Sequence, residues 1–384
     1  MQRIDKLRLH NLRIGIDFHA AERDGTGNCT YIRNIVEQLV RLAPEHEYVL
    51  YITDASNAYY RRFEGLENVR LSVVPSPSAF VRAVLLGLQT FRDKIDVLHA
   101  TYYGPPFYRG KLLLTVHDLS FLYIPDSFST FDGVKDRLLV PFFIKRARAV
   151  LTVSEYSRRD IVDAYHTPYD RVRVHYNGVD PVFKPVEDAA SARRTLEGYA
   201  VPGNAPYILF VGRINRRKNL TRLVSSFNAL KAKGFGQSLV IAGAKDFLPD
   251  EDEAAIMGSP YAGDIIFTGF MPHSHLPMLY GLADLFVYPS LYEGFGLPCL
   301  EAMACGCPVV SSDCTSLPEV VGDAGILVRP DDGEALTGAM EKMLSDDTFR
   351  RDCIKKGLDR AGRFTWESVA GTLASLLQTI GREG

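Results

Sequence analysis

Two glutamates frame a glycine-rich turn in the segment E-G-F-G-L-P-C-L-E, which runs from Glu293 to Glu301. An apolar run ends just before the segment, and a short helical pattern over 297–304 begins inside it. The order strand, turn, helix directs the free N–H groups of a helix start towards the edge of a parallel sheet, where they bind anions. A phosphate that carries sugars also offers hydroxyls, which carboxylates can bind. The segment therefore indicates a nucleotide-sugar site.

A second segment, V-G-R-I-N-R-R-K-N at 211–219, concentrates positive charge between an apolar run and a helical pattern. Its four cations are Arg213, Arg216, Arg217 and Lys218. Arginine forks and a lysine point charge suit a diphosphate. A solvated basic loop is the alternative. Gly212, which allows the backbone close to a ligand, and the glutamate-flanked helix favour the diphosphate.

Polar residues also follow apolar runs in the N-terminal half. Gly25 and Gly27 lie in the loop D-G-T-G-N-C-T, which could cradle a phosphate or be an ordinary tight turn. His117 and Asp118 directly follow another run, which places the histidine towards a cleft or against its neighbouring aspartate. Asn177 begins N-G-V-D, a turn that could also contact a ligand.

The elements that must position these residues alternate regularly. Seven apolar runs separated by helical patterns precede residue 176, and six more lie within 207–328. A proline- and glycine-rich stretch, 181–206, separates the two series and is the predicted linker. The pattern predicts an α/β fold of two doubly wound, Rossmann-like domains that face each other across a cleft.

Composition excludes several classes of protein. The 384 residues can form two cores, and a net charge of −2 gives no reason to expect a nucleic-acid partner. No apolar leader occurs in residues 1–10, and no apolar stretch is long enough to span a membrane. The six cysteines lack metal-binding spacing, so free buried thiols in a reducing cytoplasm are expected. The acidic run 250–253 is interpreted as a helix start rather than a metal site.

Together these segments resemble the retaining family-4 glycosyltransferases, whose GT-B fold has two Rossmann-like domains. E-G-F-G-L-P-C-L-E is similar to the family's E-x7-E motif, and the basic segment is similar to its diphosphate loop. T-V-H-D, V-S-E-Y-S, N-G-V-D, F-T-G-F, V-Y-P-S and A-C-G-C-P-V-V stand in the family's order over nearly the whole chain. Cys29 departs from the pattern, since similar sequences often carry a second glycine there.

The resemblance implies a role for each matching residue. Arg213 and Lys218 would neutralise the leaving nucleoside diphosphate, and His117 would contact the donor sugar. Glu293 would hold that sugar from the other side, and Glu301 would bind the ribose. The remaining contacts expected with the substrate are Gly25, Gly27, Asn177, Gly269, Gly294, Phe295, Gly296 and Leu297. No metal and no cofactor is expected.

The resemblance also implies different roles for the two domains. Residues 1–185 would form the acceptor-side domain and 200–365 the donor domain, with the helix 366–384 packing back on the first. H-D-L-S-F-L-Y-I-P-D-S-F, residues 117–128, is similar to bacterial mannosyltransferases of lipopolysaccharide and exopolysaccharide synthesis. GDP-mannose is therefore the expected donor, ahead of UDP-sugars, and the expected acceptor is a saccharide or lipid-linked saccharide.

Two rival functions remain at this point: a nucleotide-sugar epimerase or hydrolase, and a non-catalytic nucleotide-sugar sensor. The expected location is the cytoplasm, with peripheral association on the inner face of the cytoplasmic membrane as an option. Residues 80–92 and 137–146 combine apolar and basic side chains. Such segments either lie on an anionic membrane or pack against the sheet, and packing is the favoured interpretation.

Overall fold

A computed structural model of the protein describes residues 11–22, 25–75, 78–125, 129–243 and 249–382, and only the backbone at 79, 80 and 130. Parts of some predictions lie outside the described residues. They are residues 1–10, Asp24 of the glycine loop, the side chain of Phe80, residues 126–128 of the mannosyltransferase-like segment, and the last two residues of the predicted final helix.

The described N-terminal half contains a seven-stranded parallel sheet in the order β3-β2-β1-β4-β5-β6-β7. Its strands are β1 (Arg13–Asp17), β2 (Glu47–Ile52), β3 (Val69–Val73), β4 (Val97–Thr101), β5 (Lys111–Thr115), β6 (Ala149–Thr152) and β7 (Val172–Val174). The central strands are buried on both faces, which explains why their sequences are continuously apolar rather than alternating. The seven predicted apolar runs correspond to these strands.

Helices cover both faces of this sheet, and sheet and helices together are called the N-terminal domain. The helices are α1 (Gly27–Leu42), α2 (Ala79–Arg92), α3 (Ser120–Tyr123), α4 (Thr130–Arg146) and α5 (Glu155–Tyr165). α1 packs in one apolar core, and α2, α4 and α5 pack in a second core on the opposite face. Hydroxyl side chains at 26, 78, 129 and 154 accept hydrogen bonds from first-turn N–H groups and so fix where four of these helices begin.

The C-terminal half contains a six-stranded parallel sheet in the order β10-β9-β8-β11-β12-β13. Its strands are β8 (Tyr207–Val211), β9 (Ser238–Ala242), β10 (Ile265–Gly269), β11 (Leu285–Tyr288), β12 (Val309–Ser312) and β13 (Gly325–Val328). The accompanying helices are α6 (Ala189–Leu196), α7 (Leu220–Ala232), α8 (Asp250–Met257), α9 (Leu276–Gly281), α10 (Leu297–Ala304), α11 (Leu317–Val321), α12 (Gly333–Ser345) and α13 (Asp347–Ala361). This sheet and these helices are called the C-terminal domain.

Helix α14 (Trp366–Arg382) leaves the C-terminal domain and packs against α1. Its apolar side chains, including Trp366, Leu373 and Leu377, complete one of the two cores of the N-terminal domain. The predicted linker differs from the structure, because it contains α6. Asp188 caps this helix and Leu196 is buried in the core of the C-terminal domain, so that part of the stretch is ordered domain structure.

The fold of two parallel α/β domains is as the sequence predicts. The residues 117, 177, 212 and 289–296 follow strands β5, β7, β8 and β11, so they lie beyond the carboxyl ends of the sheets, where open α/β folds bind ligands. Among the described residues, no helix combines the length and apolar character needed to cross a membrane.

Candidate active site

The four cations of the basic loop after β8 lie in three different environments. Arg216 forms a surface ion pair with Glu251 at 2.9 Å, on the flank of α8. Arg217 and Lys218 instead turn towards Glu293, which they contact at 2.8 and 2.6 Å. The Arg213 side chain is exposed. The predicted row of four cations for a diphosphate is therefore a pair bound to a carboxylate, one surface ion pair, and one exposed arginine.

Glu293 is the centre of a buried charge cluster. Burial alone would raise the pKa of its carboxyl, but the positive charges of Arg217 and Lys218 lower it to about 2. Burial, together with repulsion from Arg217, lowers the pKa of Lys218 to about 8, against the attraction of Glu293. The Lys218 ammonium also donates to the Tyr288 hydroxyl and lies over that ring. The cluster carries two positive charges and one negative charge, so it can accept a further anion.

The loop that carries Glu293 is held by hydroxyl side chains. The Glu293 N–H donates to Thr315 at 3.1 Å, and the Ser316 hydroxyl donates to the carbonyls of Glu293 and Phe295 at 2.9 and 2.8 Å. The Phe295 ring is buried in the core. Only the backbone of this loop can then contact a ligand at Phe295.

Helix α10 begins directly after this loop. Gly296 precedes it with a φ of +107°, a conformation that a side chain would strain, so glycine is required at this cap. Pro298 lies in the first turn and has no N–H to donate. The helix start therefore offers fewer donors than an ordinary one, and the cations supply more of the positive charge of the site.

Glu301 lies one turn further along α10 and is half-buried. The Tyr280 hydroxyl donates to its carboxylate at 2.9 Å. Burial raises the pKa of Glu301 to about 7, helped by the negative charge of Asp180 and opposed by the Tyr280 hydrogen bond. A carboxylate that is only half ionised at neutral pH gains from new hydroxyl donors, as a ribose would provide.

His117 faces this cluster from the N-terminal domain. Its ring lies edge-on to Tyr31, with centroids 4.8 Å apart, and also contacts Tyr102. Burial lowers the pKa of His117 to about 4, so the imidazole is neutral at pH 7. Within the described structure its Nε2 atom is buried without a hydrogen-bond partner, which is costly unless a ligand supplies one.

The two halves of the site are in contact. A Cβ placed on Gly294 would lie 2.9 Å from the Asp118 Cβ atom and 2.9 Å from the His117 carbonyl oxygen, so only glycine allows this approach. The Ser157 hydroxyl donates to the Gly294 carbonyl at 3.4 Å. The structure thus brings the histidine loop and the E-G-F-G loop together, although 176 positions separate His117 and Glu293.

A carboxylate of the C-terminal domain also binds the N-terminal domain. Glu319 of α11 accepts hydrogen bonds from the N–H groups of Glu155 and Tyr156, at 2.8 and 2.7 Å. These N–H groups form the start of α5, where a negative charge is favoured. Tyr292 adds a bond from its hydroxyl to Asp160 at 2.6 Å. The described conformation is therefore a closed one.

The remaining predicted residues lie at the margins of this cleft. Gly25 has a φ of +74°, and a Cβ there would come within 3.2 Å of the exposed Phe270 ring, just after Gly269 at the end of β10. Gly27 is the first residue of α1 and faces open space. Asn177 is buried, and its Oδ1 atom has no partner among the described residues.

The sequence analysis missed several residues of the site. Arg217 was noted only as one of four cations, yet it shares Glu293 with Lys218. Asp118 was considered only as a neighbour of His117 and Tyr292 was given no role, although both lie at the contact between the loops. Pairing of β8 with β11 brings the loops after these strands together, and a strand order could have revealed this.

The acidic run 250–253 forms the first turn of α8, as predicted. Its Asp252 accepts hydrogen bonds from the N–H and hydroxyl of Thr221, and Glu251 pairs with Arg216. These carboxylates have structural partners. In the described ranges, no three His, Cys, Asp or Glu side chains are grouped as metal ligands.

Comparison with known proteins gives two family matches. The model described as "Glycosyl transferases group 1" matches residues 193–360, and "Glycosyltransferase Family 4" matches residues 27–183. The "O-antigen chain mannosyltransferase B" of Escherichia coli is 34% identical over 287 residues, which are 72% of this chain and 73% of that protein.

Two further similarities complete the comparison. The "Serotype-specific mannosyltransferase WbdA" of Escherichia coli is 32% identical over 231 residues, covering 59% of this chain but only 28% of that longer protein. The solved sucrose-phosphate synthase of Thermosynechococcus elongatus superposes with a TM-score of 0.77 at 20% identity, over 96% of this chain and 99% of that one. At this identity the likeness is one of fold.

Proposed function

Because the chain belongs to family 4 of the glycosyltransferases and has their GT-B fold, we propose that it transfers mannose from GDP-mannose, with retention of configuration, to a saccharide or lipid-linked saccharide acceptor. The observation that carries the proposal is the buried cluster of Arg217, Lys218 and Glu293 facing His117 across a closed cleft. The mannose assignment rests on the two Escherichia coli relatives, which are mannosyltransferases.

The first requirement of such a reaction is departure of the nucleoside diphosphate. The bond between the sugar C1 and the diphosphate oxygen breaks, and the electron pair leaves with that oxygen. Lys218 and Arg213 are the proposed partners of the new negative charge, and preorganised cations in a buried site stabilise it most. Because burial already disfavours the charge of Lys218, an arriving diphosphate also relieves a cost within the protein.

The second requirement is a fixed sugar. Glu293, fully ionised above pH 5, can accept hydroxyls on one side of the ring. His117, neutral and with an unpartnered Nε2 atom among the described residues, can exchange a hydrogen bond on the other side. Glu301 is the proposed partner of the ribose hydroxyls. These contacts orient C1 towards the N-terminal domain, where we place the acceptor.

Retention follows in this proposal from attack on the same face that the diphosphate leaves. The acceptor oxygen bonds to C1, and its proton passes to the departing phosphate oxygen. The cations of the cluster supply the charge compensation, so the proposed reaction needs no metal; equal rates with and without EDTA are the expected result. A cytoplasmic location agrees with Cys299, Cys305, Cys307 and Cys353, which are buried free thiols in the described structure.

The test uses purified protein, a panel of GDP- and UDP-sugars and saccharide or lipid-linked acceptors, with products read by mass spectrometry. We expect mannosylated acceptor and GDP, with the α-linkage retained by NMR. Conversion of a donor without acceptor would instead indicate an epimerase or hydrolase. Binding without turnover of any donor would indicate a sensor. Calorimetry with GDP and UDP tests the base, and tighter binding of UDP contradicts the GDP assignment.

The roles of the cations are tested separately. Arg213→Ala and Lys218→Ala should each lower kcat by about 10²-fold or more, because each removes charge from the leaving group. Arg216→Ala on the same loop removes a cation that pairs with Glu251 on the surface, and it should leave kcat within about twofold. Near-normal turnover of the first two variants would contradict the assignment.

A further inference from the structure

One surface of the N-terminal domain exposes an unusual number of large apolar side chains. It consists of α2, the loop 102–110 and α4, and is called the α2–α4 face. Phe91, Phe107 and Phe131 are 84%, 79% and 78% exposed. The other exposed apolar side chains of this face are Val81, Leu88, Val134, Leu138, Leu139 and Phe142. Apolar patches of this extent on a folded protein mark an interaction surface.

The three parts of the face pack side by side. A Cβ on Gly87 of α2 would lie 3.0 Å from the Pro105 side chain of the loop. On the other side of the loop, Arg146 of α4 donates to the Tyr108 carbonyl at 2.6 Å. The exposed apolar side chains of the face therefore lie on three neighbouring elements.

Helix α4 is apolar on two sides. Val140, Phe143 and Ile144 point inward and fill the core beneath the sheet. Residues 131, 134, 138 and 142 repeat at intervals of three and four, and they point outward. Packing on a sheet needs only one apolar stripe, so packing against the sheet does not account for the outward stripe.

Positive charge surrounds the apolar side chains. Exposed basic residues of the face and its ends are Arg92, Lys94, Arg109, Arg137 and Lys145. None of these five pairs with a carboxylate within the described part of the chain. The acidic residues of α4 are Asp132 and Asp136, which lie 2.8 and 3.8 Å from Lys135. The face thus presents uncompensated cations beside apolar side chains.

We propose that the α2–α4 face docks on the surface of an anionic lipid bilayer. The apolar side chains would enter the boundary between headgroups and acyl chains, and the arginines and lysines would contact lipid phosphates. A second copy of the chain fits less well, because a twofold interface would bring the same positive rim against itself. The proposal is independent of the proposed function, since docking requires no donor or acceptor. Segments 80–92 and 137–146 do pack against the sheet through their inward side chains, as the sequence analysis favoured, and the proposal concerns their outward side chains.

Vesicle flotation with the full chain, in the absence of nucleotide sugar, tests this docking. Vesicles of phosphatidylglycerol with phosphatidylethanolamine should carry the protein upward, and vesicles of phosphatidylcholine alone should carry at least about tenfold less. The triple variant Phe131→Ser, Leu138→Ser, Phe142→Ser should bind the anionic vesicles at least about tenfold more weakly. Its matched control, Met257→Ser with Leu358→Ser, removes exposed apolar side chains of the C-terminal domain and should bind as the wild type does.

A second pair of variants isolates the charge. Arg137→Gln with Lys145→Gln should weaken binding about tenfold, whereas Arg351→Gln with Lys355→Gln, which removes two exposed cations elsewhere, should not. Unchanged circular dichroism melting of all variants separates docking from folding. Equal binding to neutral and anionic vesicles overturns the proposal, and so does absence of flotation. Concentration-dependent dimers that the triple variant abolishes, without flotation of the wild type, would assign the face to a second copy instead.

Discussion

Replacing Glu293 with glutamine should destabilise the protein far more than any surface change in the same loop. The carboxylate offsets the charges of buried Lys218 and half-buried Arg217, and its pKa lies near 2 instead of the usual 4.5. At about 1.4 kcal/mol for each pKa unit, that difference corresponds to about 3 kcal/mol of stability at pH 7. Removing one partner of a buried ion pair typically costs about 3–5 kcal/mol, so the two approaches agree.

The measurement is urea unfolding at pH 7 by circular dichroism, with Trp366 fluorescence as a second probe. Glu251→Gln is the matched control, because it removes the partner of Arg216 from the same loop. That pair is about half exposed, at 51% and 47%, and should contribute less than about 1 kcal/mol. In the variant Glu293→Gln, Lys218 should also release its proton near neutral pH. The pKa of Lys218 is already about 8 in the wild type, and it falls further when the attraction of the Glu293 carboxylate is removed.

The pH dependence supplies a further check. Because the pKa of Glu293 is lowered in the folded state, its contribution is complete above the unfolded value of about 4.5 and is lost as the pH falls towards 2. The difference between wild type and Glu293→Gln should therefore shrink as the pH falls below about 5. A loss no greater than that of Glu251→Gln would refute the reasoning.

Three further predictions concern the cleft. Gly294→Ala should lower kcat/KM at least about tenfold, because the new Cβ meets the loop of His117 and Asp118 at 2.9 Å. Gly338→Ala is the control: a Cβ at that position meets nothing within 4 Å, so steady-state kinetics should be unchanged. Donor affinity measured by calorimetry should rise between pH 6 and pH 8. Hydroxyl donors favour the ionised form of Glu301, whose pKa is about 7 in the free protein. The rise should be absent in Glu301→Gln. Glu319→Ala removes the hydrogen-bond acceptor that binds the start of α5 across the cleft. Without donor, the radius of gyration measured by small-angle scattering should therefore increase. An unchanged radius would mean that this contact does not hold the cleft closed.

Local signals were sufficient to predict most of the elements. The pattern L-P-C-L-E-A-M-A between two glycines predicts a helix over 297–304, and α10 occupies Leu297–Ala304. The proline in its first turn and the glycines on either side act within a few residues, so the sequence alone contains them. The same holds for the apolar runs, because strands buried on both faces are continuously apolar.

The charge cluster could not be predicted in this way. Lys218 and Glu293 are separated by 75 positions, and their contact depends on β11 lying beside β8 in the sheet. Periodicity assigns residues to strands but does not order the strands. The sequence therefore indicated cations and carboxylates as candidate site residues. It assigned Lys218 and Glu293 to separate contacts with a ligand, whereas each is also the other's partner.

Helix α14 has a consequence for how the protein is made. It supplies Trp366, Leu373 and Leu377 to a core whose other members lie near the beginning of the chain. During synthesis, the ribosome must complete the entire C-terminal domain before this helix emerges. One apolar face of the N-terminal domain therefore stays uncovered until the C-terminal domain and α14 have been translated. A nascent chain arrested before Trp366 should bind chaperones that recognise exposed apolar segments, and the released full-length chain should not.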